Sequence, residues 1–539
     1  MFSIKYYYLL WAVGLTAGSY IGSKYPAGIY LNVFYALFTI ILMSVSGFFT
    51  VKKFLHKSAE DSLNYDNRKI LTAVIIVVSF FAFLLIGCVN FSAYNYRESK
   101  NIFYLIEKHK GSSRQNIILD GRVASYPKYS YGNLYFLLEA DRALIVRGDK
   151  DTSTTFKADG HIKVKIKNCD PGFLLRDDYI RVDGYINLSK DTYLKNSDKL
   201  IFVSEVSNVE KIMPDNFVYT IFRLRGRVYK YLENVYFRSL NYESASIAEA
   251  LVLGNKSDVP GYVLENFKKS GVFHLLAISG LHISILLYFI NWIFRKINFF
   301  TFSFWLIFIF LLIYNFLVGE KASMQRATIM FVFVILAGMW GREYSQRIVL
   351  YFTYIAMILS NPSFFYDLGF WLSFSSMAAI IFVSPVLLKF LSKIFPKFKI
   401  KESYVARMVV LTISVQAVLT PTVSYFFGGV STVAVAANLI IIPAFYAALL
   451  LLFVSSVFSM IWMPLGAFIL KPASIFINYI LRVTAFLGKL DFSFLSLGHF
   501  HMKYVIIYYA VLLAALCVLK KYLSRSNSYD QKKEKAIIG

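Results

Sequence analysis

The sequence predicts a polytopic α-helical membrane protein with a small extracytoplasmic β-barrel inserted after its first helices. Three observations predict it. The chain of 539 residues is 57% hydrophobic and 17% charged, with a mean hydropathy of +0.55, a composition that excludes an ordinary soluble enzyme. Its apolar residues gather into runs long enough to enter a bilayer, roughly twelve of them. From about residue 95 to residue 212 the hydropathy collapses and a two-residue alternation takes over.

Lysine and arginine number 57 against 32 acidic residues, a net charge of +25. Such an excess serves the positive-inside rule, anionic lipid or a polyanionic cargo, and charge alone does not separate the three. Cys88, Cys169 and Cys517 lie in an apolar span, the polar middle and the last span, a distribution without disulfide or metal-site spacing. The abundance of Tyr, Phe, Ile, Lys and Asn fits an A/T-rich genome, so the bulk aromatic content carries no argument for base stacking.

Lys5 precedes an apolar run from Tyr6 to Ile21, in which Ala17-Gly18-Ser19 faintly suggests a cleavage site. A second run, Ile29 to Thr50, follows almost at once and favours a retained hairpin. Lys52, Lys53, Lys57, Arg68 and Lys69 place the next loop in the cytoplasm, and Ile70 to Phe91 then crosses outward. Residues 1–94 form a three-helix membrane region.

Within residues 95–212 the segments 116–125, 133–140, 161–168, 179–188 and 200–209 read as roughly five strands, the number in a small barrel of the OB type. In His161-Ile162-Lys163-Val164-Lys165-Ile166-Lys167 the alternation puts Lys163, Lys165 and Lys167 on one face and the aliphatic residues on the other. A basic face beside Tyr126, Tyr129, Tyr131 and Tyr135 is the pattern of a single-strand-binding surface. The same pattern also describes a solvated strand face with tyrosines packing the barrel.

Residues 213–270 are basic and helical. Phe217, Ile221, Leu224, Val228, Leu232 and Val235 recur at helical spacing, with Arg223, Arg225, Arg227 and Lys230 between them, as in a helix lying on a membrane surface or flanking a pore entrance. The stretch from Gly271 to Leu287, G-V-F-H-L-L-A-I-S-G-L-H-I-S-I-L-L, follows. It sets His274, Ser279, Gly280 and His282 inside an apolar run, where each polar group needs a protein partner or a wet cavity.

Further apolar runs cover 300–318, 324–340, 348–359, 368–391, 408–427, 433–460, 465–487 and 503–519. Of these, 348–359 is short and 433–460 is long and interrupted at Pro443, features of re-entrant or kinked elements. Alternate crossings from a cytoplasmic 51–69 loop put Arg295/Lys296, Arg342/Arg347, the lysine cluster at 389–401 and Lys520/Lys521 inside, with both termini cytoplasmic. Residues 524–539 form a tail.

On a continuous helix His274 and His282 are rotated by roughly 80°, so they do not form an i, i+4 metal pair. Ser279 and His282, at i and i+3, have the spacing of a nucleophile and its base, but no acid stands at a spacing that would orient the imidazole. The residues instead suit close helix approach, bonds to carbonyls or a wet pathway. Arg326 stands at the mouth of a span, facing a polar cavity that a phosphate visits or snorkelling to the interface. Asp367 sits at a loop-to-helix junction suited to an N-cap. Asn438 lies near Pro443, whose ring frees a backbone carbonyl, a break of the kind found along transport pathways. His499-Phe500-His501 lacks the following Asp-x-His of a metallo-β-lactamase-like site, and no P-loop is present. No metal, cofactor or catalytic residue is expected, and the protein is not expected to be an enzyme.

The run His274-Leu-Leu-Ala-Ile-Ser-Gly-Leu-His282 resembles the hallmark of the ComEC-type competence channel family. Blocks at Leu253–Leu287, Gly319–Met330, Asn361–Ala378 and Gln416–Pro443 resemble that family in the same order. Asn255 departs from it by standing where an acid is expected. The resemblance implies that residues 271–523 are a competence-type helical channel domain. It further implies a bacterial inner-membrane channel passing single-stranded DNA during natural transformation. The partners implied are a periplasmic DNA receptor, a cytoplasmic helicase-like motor and membrane lipids. The chain stops after its last span, so it is expected to be a short form without the metallo-β-lactamase-like nuclease domain of many relatives. Two alternatives are a transporter or flippase of an anionic lipid or envelope precursor, and a membrane-embedded hydrolase using Ser279 and His282.

Overall fold

The computed structural model describes residues 12–16, 83, 86–87, 89–90, 115–130, 132–146, 153–157, 161–167, 169, 173–187, 201–214, 217–296, 300–319, 321–339, 345–398, 400, 402–497 and 501–538. Apart from a few positions, the three N-terminal membrane runs lie outside these residues, as does His499. The chain divides into two compact units, residues 1–228 with 336–367, and residues 229–335 with 368–539.

The first unit is built on a sheet of seven strands: β1 (Gln115–Val123), β2 (Lys128–Ser130), β3 (Asn133–Val146), β4 (Ser153–Lys157), β5 (His161–Lys167), β6 (Tyr179–Asn187) and β7 (Ile201–Lys211). Pairing runs β1–β6–β7–β5–β3 and returns from β3 to β1, with the β5–β7 pair alone parallel among the pairings of this sheet. Alternation drives this curl. Ile162, Val164 and Ile166 of β5 turn inward with Ile117, Leu119, Leu134, Phe136, Leu138, Ile180 and Val182 to form one core. Gly121 marks the bulge between β1 and β3, where a Cβ would collide with the carbonyl of Glu139.

The five expected strands are present, and two short edge strands, β2 and β4, join them. Both were hidden in the sequence because three and five residues are too few to display a period. β3 also runs on to Val146, past the expected end at residue 140, because Arg142 to Val146 continue the pairing with β1 and β4 beyond the bulged Asp141.

Helix α1 (Phe217–Ser239) belongs to the first unit up to Val228. Its Arg225, expected among the residues of a basic polar face, is buried, and its Nε donates to Asp177 Oδ2 at 2.7 Å. Phe222 lies under two guanidinium groups, Arg122 at 3.9 Å and Arg225 at 5.0 Å from its ring centroid. The Tyr219 hydroxyl donates to Asp141 at 2.6 Å. Burial, then that carboxylate, pushes the Tyr219 phenol up to about 12. Arg223 and Arg227, with Phe217, Ile221 and Leu224, remain exposed. In the same unit α7 (Gln346–Ser360), too short for a straight span, is fastened by Thr16 to the Tyr354 hydroxyl at 2.6 Å and by Asn90 to the Ile358 carbonyl at 2.9 Å.

The second unit is helical. It contains the remainder of α1, then α2 (Tyr242–Val252), α3 (Gly261–Lys269), a 3₁₀ turn (Phe273–Leu276), α4 (Gly280–Lys296), α5 (Phe300–Val318) and, up to Ile335, α6 (Ala322–Met339). After α7 come α8 (Leu368–Ala378), a π-helical turn, α9 (Ser384–Ile394), α10 (Tyr404–Phe427), β8 (Gly429–Ser431), α11 (Ala434–Ile461), α12 (Met463–Gly488), β9 (Phe494–Ser496) and α13 (Met502–Ile538). Among the described residues, five segments are long and apolar enough to cross a membrane: Leu368–Ile394, Tyr404–Phe427, Ala434–Ile461, Met463–Gly488 and Lys503–Leu523. Shorter apolar helices lie within α4, α5, α6 and α7. The protein is thus a helical membrane protein carrying a small β domain.

The stretch 433–460 is one 28-residue helix with Pro443 inside it. Gly428, at φ 76°, ends α10 in the left-handed conformation and turns the chain into β8, which pairs with β9.

Candidate functional site

The sequence places its candidate residues on both units, and the structure groups them differently from their order in the chain. On the first unit, Lys163 and Lys167 are exposed and Lys165 is half-buried, all opposite the inward aliphatic residues of β5. Register extends this face across the sheet. Lys165 pairs with Tyr135 of β3, which pairs in turn with Lys128 of β2, and Lys163 pairs with Leu137. The Lys165 ammonium lies 5.6 Å from the Tyr135 ring centroid, so one row carries cation, aromatic and cation. Tyr129 is 45% exposed beside it. Tyr126 is taken up by Arg176, which stacks on its ring at 4.5 Å, and Tyr131 lies outside the described residues.

On the second unit, the run from Gly271 to Leu287 is not one continuous helix. Gly271 holds a φ of 77°, which glycine adopts without strain, and a Cβ there would also stand 2.5 Å from Ala434 Cβ and 2.9 Å from Ser431 Oγ. His274 falls on the 3₁₀ turn, Ala277 is extended, and α4 begins only at Gly280. His274 is exposed and His282 fully buried, so the two histidines are separated by a change of element as well as by rotation.

Ser279 and His282 form a helix cap. The Leu281 amide donates to Ser279 Oγ at 3.3 Å, and the Ser279 amide donates back to His282 Nδ1 at 3.2 Å. This is a capping box with histidine in the position usually held by glutamate. Ser279 Oγ also lies 3.1 Å from Nδ1, the contact that suggested a nucleophile and base. Accepting from the amide commits Nδ1 and leaves the proton on Nε2. That Nε2 has no hydrogen-bond partner, and the ring packs edge-on against Phe445 of α11 at 5.1 Å.

Arg326 approaches the same helix start. It is 5% exposed, its Nη1 donates to the Ser373 carbonyl, and its Nη2 lies 2.8 Å from where a Gly280 Cβ would be. Its Nε is without a partner, and among the described residues no carboxylate pairs with it. The arginine is inside the unit and does not snorkel. Ser323, one turn earlier on α6, donates to the Ile278 carbonyl and fixes α6 to the break before α4.

Asp367 is half-buried with extended backbone immediately before α8, as a capping position requires. It belongs to the first unit. Asn438 is 7% exposed with Oδ1 unpartnered, two turns before Phe445 on α11.

Sequence reasoning missed two groups. Gln416 donates from Nε2 to the Ser431 carbonyl at 2.9 Å, and with Thr420, Ser431 and Thr432 it lines a cavity of about 300 Å³ between α10 and the start of α11. A lone glutamine inside an apolar span was the available signal. Lys256 lies in the loop after α2 with its ammonium 4.7 Å from the Phe273 ring centroid. Burial, then the charge of Lys321, lowers it to about 8. Nothing in its sequence context marks it.

A family model described as Competence protein matches residues 251–522. The chain belongs to the competence protein family. ComE operon protein 3 of Bacillus subtilis (strain 168) is 25% identical over 431 residues, covering 79% of this chain and 49% of that protein. An uncharacterised protein of Aquifex aeolicus (strain VF5) is 30% identical over 140 residues, covering 26% of this chain and 33% of that one. The chain therefore spans about half the length of the first relative. No solved structure matches it. The competence region of this chain contains His274, Ser279, Gly280, His282, Arg326, Asp367 and Asn438, whereas Lys163, Lys165 and Lys167 precede it.

Proposed function

We propose that this competence-family protein is an inner-membrane channel that passes single-stranded DNA into the cytoplasm during natural transformation. The observation that carries the reading is the Lys128–Tyr135–Lys165 row with Lys163 and Lys167 beside it, a surface offering charge to phosphates and a ring to bases. Residues 95–212 form an OB-type domain on this reading. Support comes from the five-strand circuit β1–β3–β5–β7–β6 with its parallel β5–β7 pair, and the lysines occupy the middle strands where such barrels bind oligonucleotides.

Residues 271–523 conduct the strand. Support comes from Arg326, a buried cation without a described carboxylate partner at the positive end of α4, and from the cavity to which Gln416, Thr420 and Thr432 bring polar groups. Residues 1–94 complete a bundle of roughly twelve segments with both termini cytoplasmic, and 213–270 link the two domains. A periplasmic DNA receptor delivers the strand and a cytoplasmic helicase-like motor pulls it.

Deletion then abolishes transformants while labelled double-stranded DNA still accumulates outside the cytoplasm, and His282→Ala at normal abundance reproduces this. A second reading, transport of an anionic lipid or envelope precursor, draws on a cavity of about 590 Å³ between α4 and α11, lined by Tyr288, Phe289, Trp292 and Tyr446 among others. An envelope defect with unchanged transformation would favour it.

A further inference from the structure

One buried carboxyl in the helical unit is unused by that reading. Glu249 lies in α2, whose residues from Ser244 to Val252 are all buried, and is itself 1% exposed. Its Oε1 accepts from the Tyr229 hydroxyl of α1 and from Asn255 Nδ2 at 2.8 Å, while Oε2 has no hydrogen-bond partner. Asn255 Nδ2 also reaches Asp258 Oδ2 at 3.2 Å, and its Oδ1 accepts from the Ser257 amide at 3.0 Å. Glu249 is thus the node at which α1, α2 and the loop 253–260 meet.

The groups facing it are Tyr229, Glu233 and Tyr236 from α1, Tyr242 from the first turn of α2, and Asp258 from the loop. All are acidic or neutral. Lys230 is committed to Glu233 at 2.8 Å, and among the described residues no cation pairs with Glu249. An ionised carboxylate here would leave charge on an oxygen that receives no hydrogen bond, away from water, a state that protonation relieves.

We propose that Glu249 is a proton-binding site of the helical unit, and that loss of its proton draws water to Oε2 and loosens the packing of α2, while Tyr229 and Asn255 keep hold of Oε1. The proton passes to the entering water, and the carboxylate left behind is hydrated at Oε2. Burial pushes the carboxyl up to about 8, against the opposing hydrogen bonds from Tyr229 and Asn255, which places the transition in the range of ordinary growth media.

The test uses the full-length protein in lipid nanodiscs without DNA, so its failure would leave the DNA reading untouched. Difference infrared spectra between about pH 6 and about pH 9.5 follow the carbonyl band of protonated carboxylic acids, and hydrogen exchange follows the α2 amides. The expected result is a band titrating near pH 8 that Glu249→Gln removes, with α2 protection, corrected for the intrinsic exchange rate at each pH, falling alongside in the wild type only. No Glu249-dependent band change over this range, as an ordinary glutamate value of about 4.3 would give, or an equal fall of protection in Glu249→Gln, overturns the proposal. Tyr229→Phe supplies a second reading. It removes a donor that favours the ionised form, so the midpoint must rise, and an unchanged or lower midpoint overturns the proposal.

Discussion

Arg225 and Asp177 form a buried ion pair that joins α1 to the loop before β6. Asp177 holds a left-handed φ of 73° and shares its carboxylate between Arg225 and, at 3.2 Å, Arg122. Asp177→Ala takes the carboxylate from the buried Arg225, while Arg122 keeps Glu139, and is expected to destabilise the β domain by about 3–5 kcal/mol. Arg122→Ala, which leaves Arg225 in place, is expected to cost less. Urea unfolding followed by protease sensitivity of the domain ranks the two.

The lysine face makes a prediction in salt. Changing Lys163, Lys165 and Lys167 together to Gln should flatten the log–log salt dependence of single-strand binding by about 0.7 per lost phosphate contact. An unchanged slope would remove β5 from the DNA path.

Two glycines of the motif should behave differently. Gly271→Ala meets Ala434 and also carries a strained φ of 77°, so a loss of about 1–3 kcal/mol of stability is expected. Gly280→Ala meets only the far end of Arg326. Normal abundance with reduced transformation is expected, scored by immunoblot beside transformant counts.

Glu249 gives stability a pH dependence of known sign. Its carboxyl is raised from 4.5 to about 8 in the folded state, so the native protein binds more protons than the unfolded chain between those values. Stability is then full below about pH 4.5 and falls as pH rises towards 8, with a slope of at most about 1.4 kcal/mol per pH unit. Thermal unfolding of wild type and Glu249→Gln in the same buffers checks it, since the variant should lack this component.

Where periodicity is strong, the sequence was a good guide. The alternation in 161–167 foretold which face of β5 is buried, and apolar runs located the five long helices. Short elements without a full period, β2 and β4, were invisible. The Ser279–His282 spacing was legible but its meaning was not, because i and i+3 describes a capping box as well as a nucleophile and base. Arg225 read as one of several surface arginines, since its partner Asp177 is 48 residues away. Glu249 and Gln416 acquire their roles from neighbours that only folding supplies.

The most direct measurement places a photoreactive residue at Leu281, between Ser279 and His282, and illuminates cells while they take up end-labelled DNA. Passage of the strand along the start of α4 predicts adducts between this residue and the incoming single strand, lost when Lys163, Lys165 and Lys167 are replaced. Undiminished transformation with no adduct to DNA would contradict it.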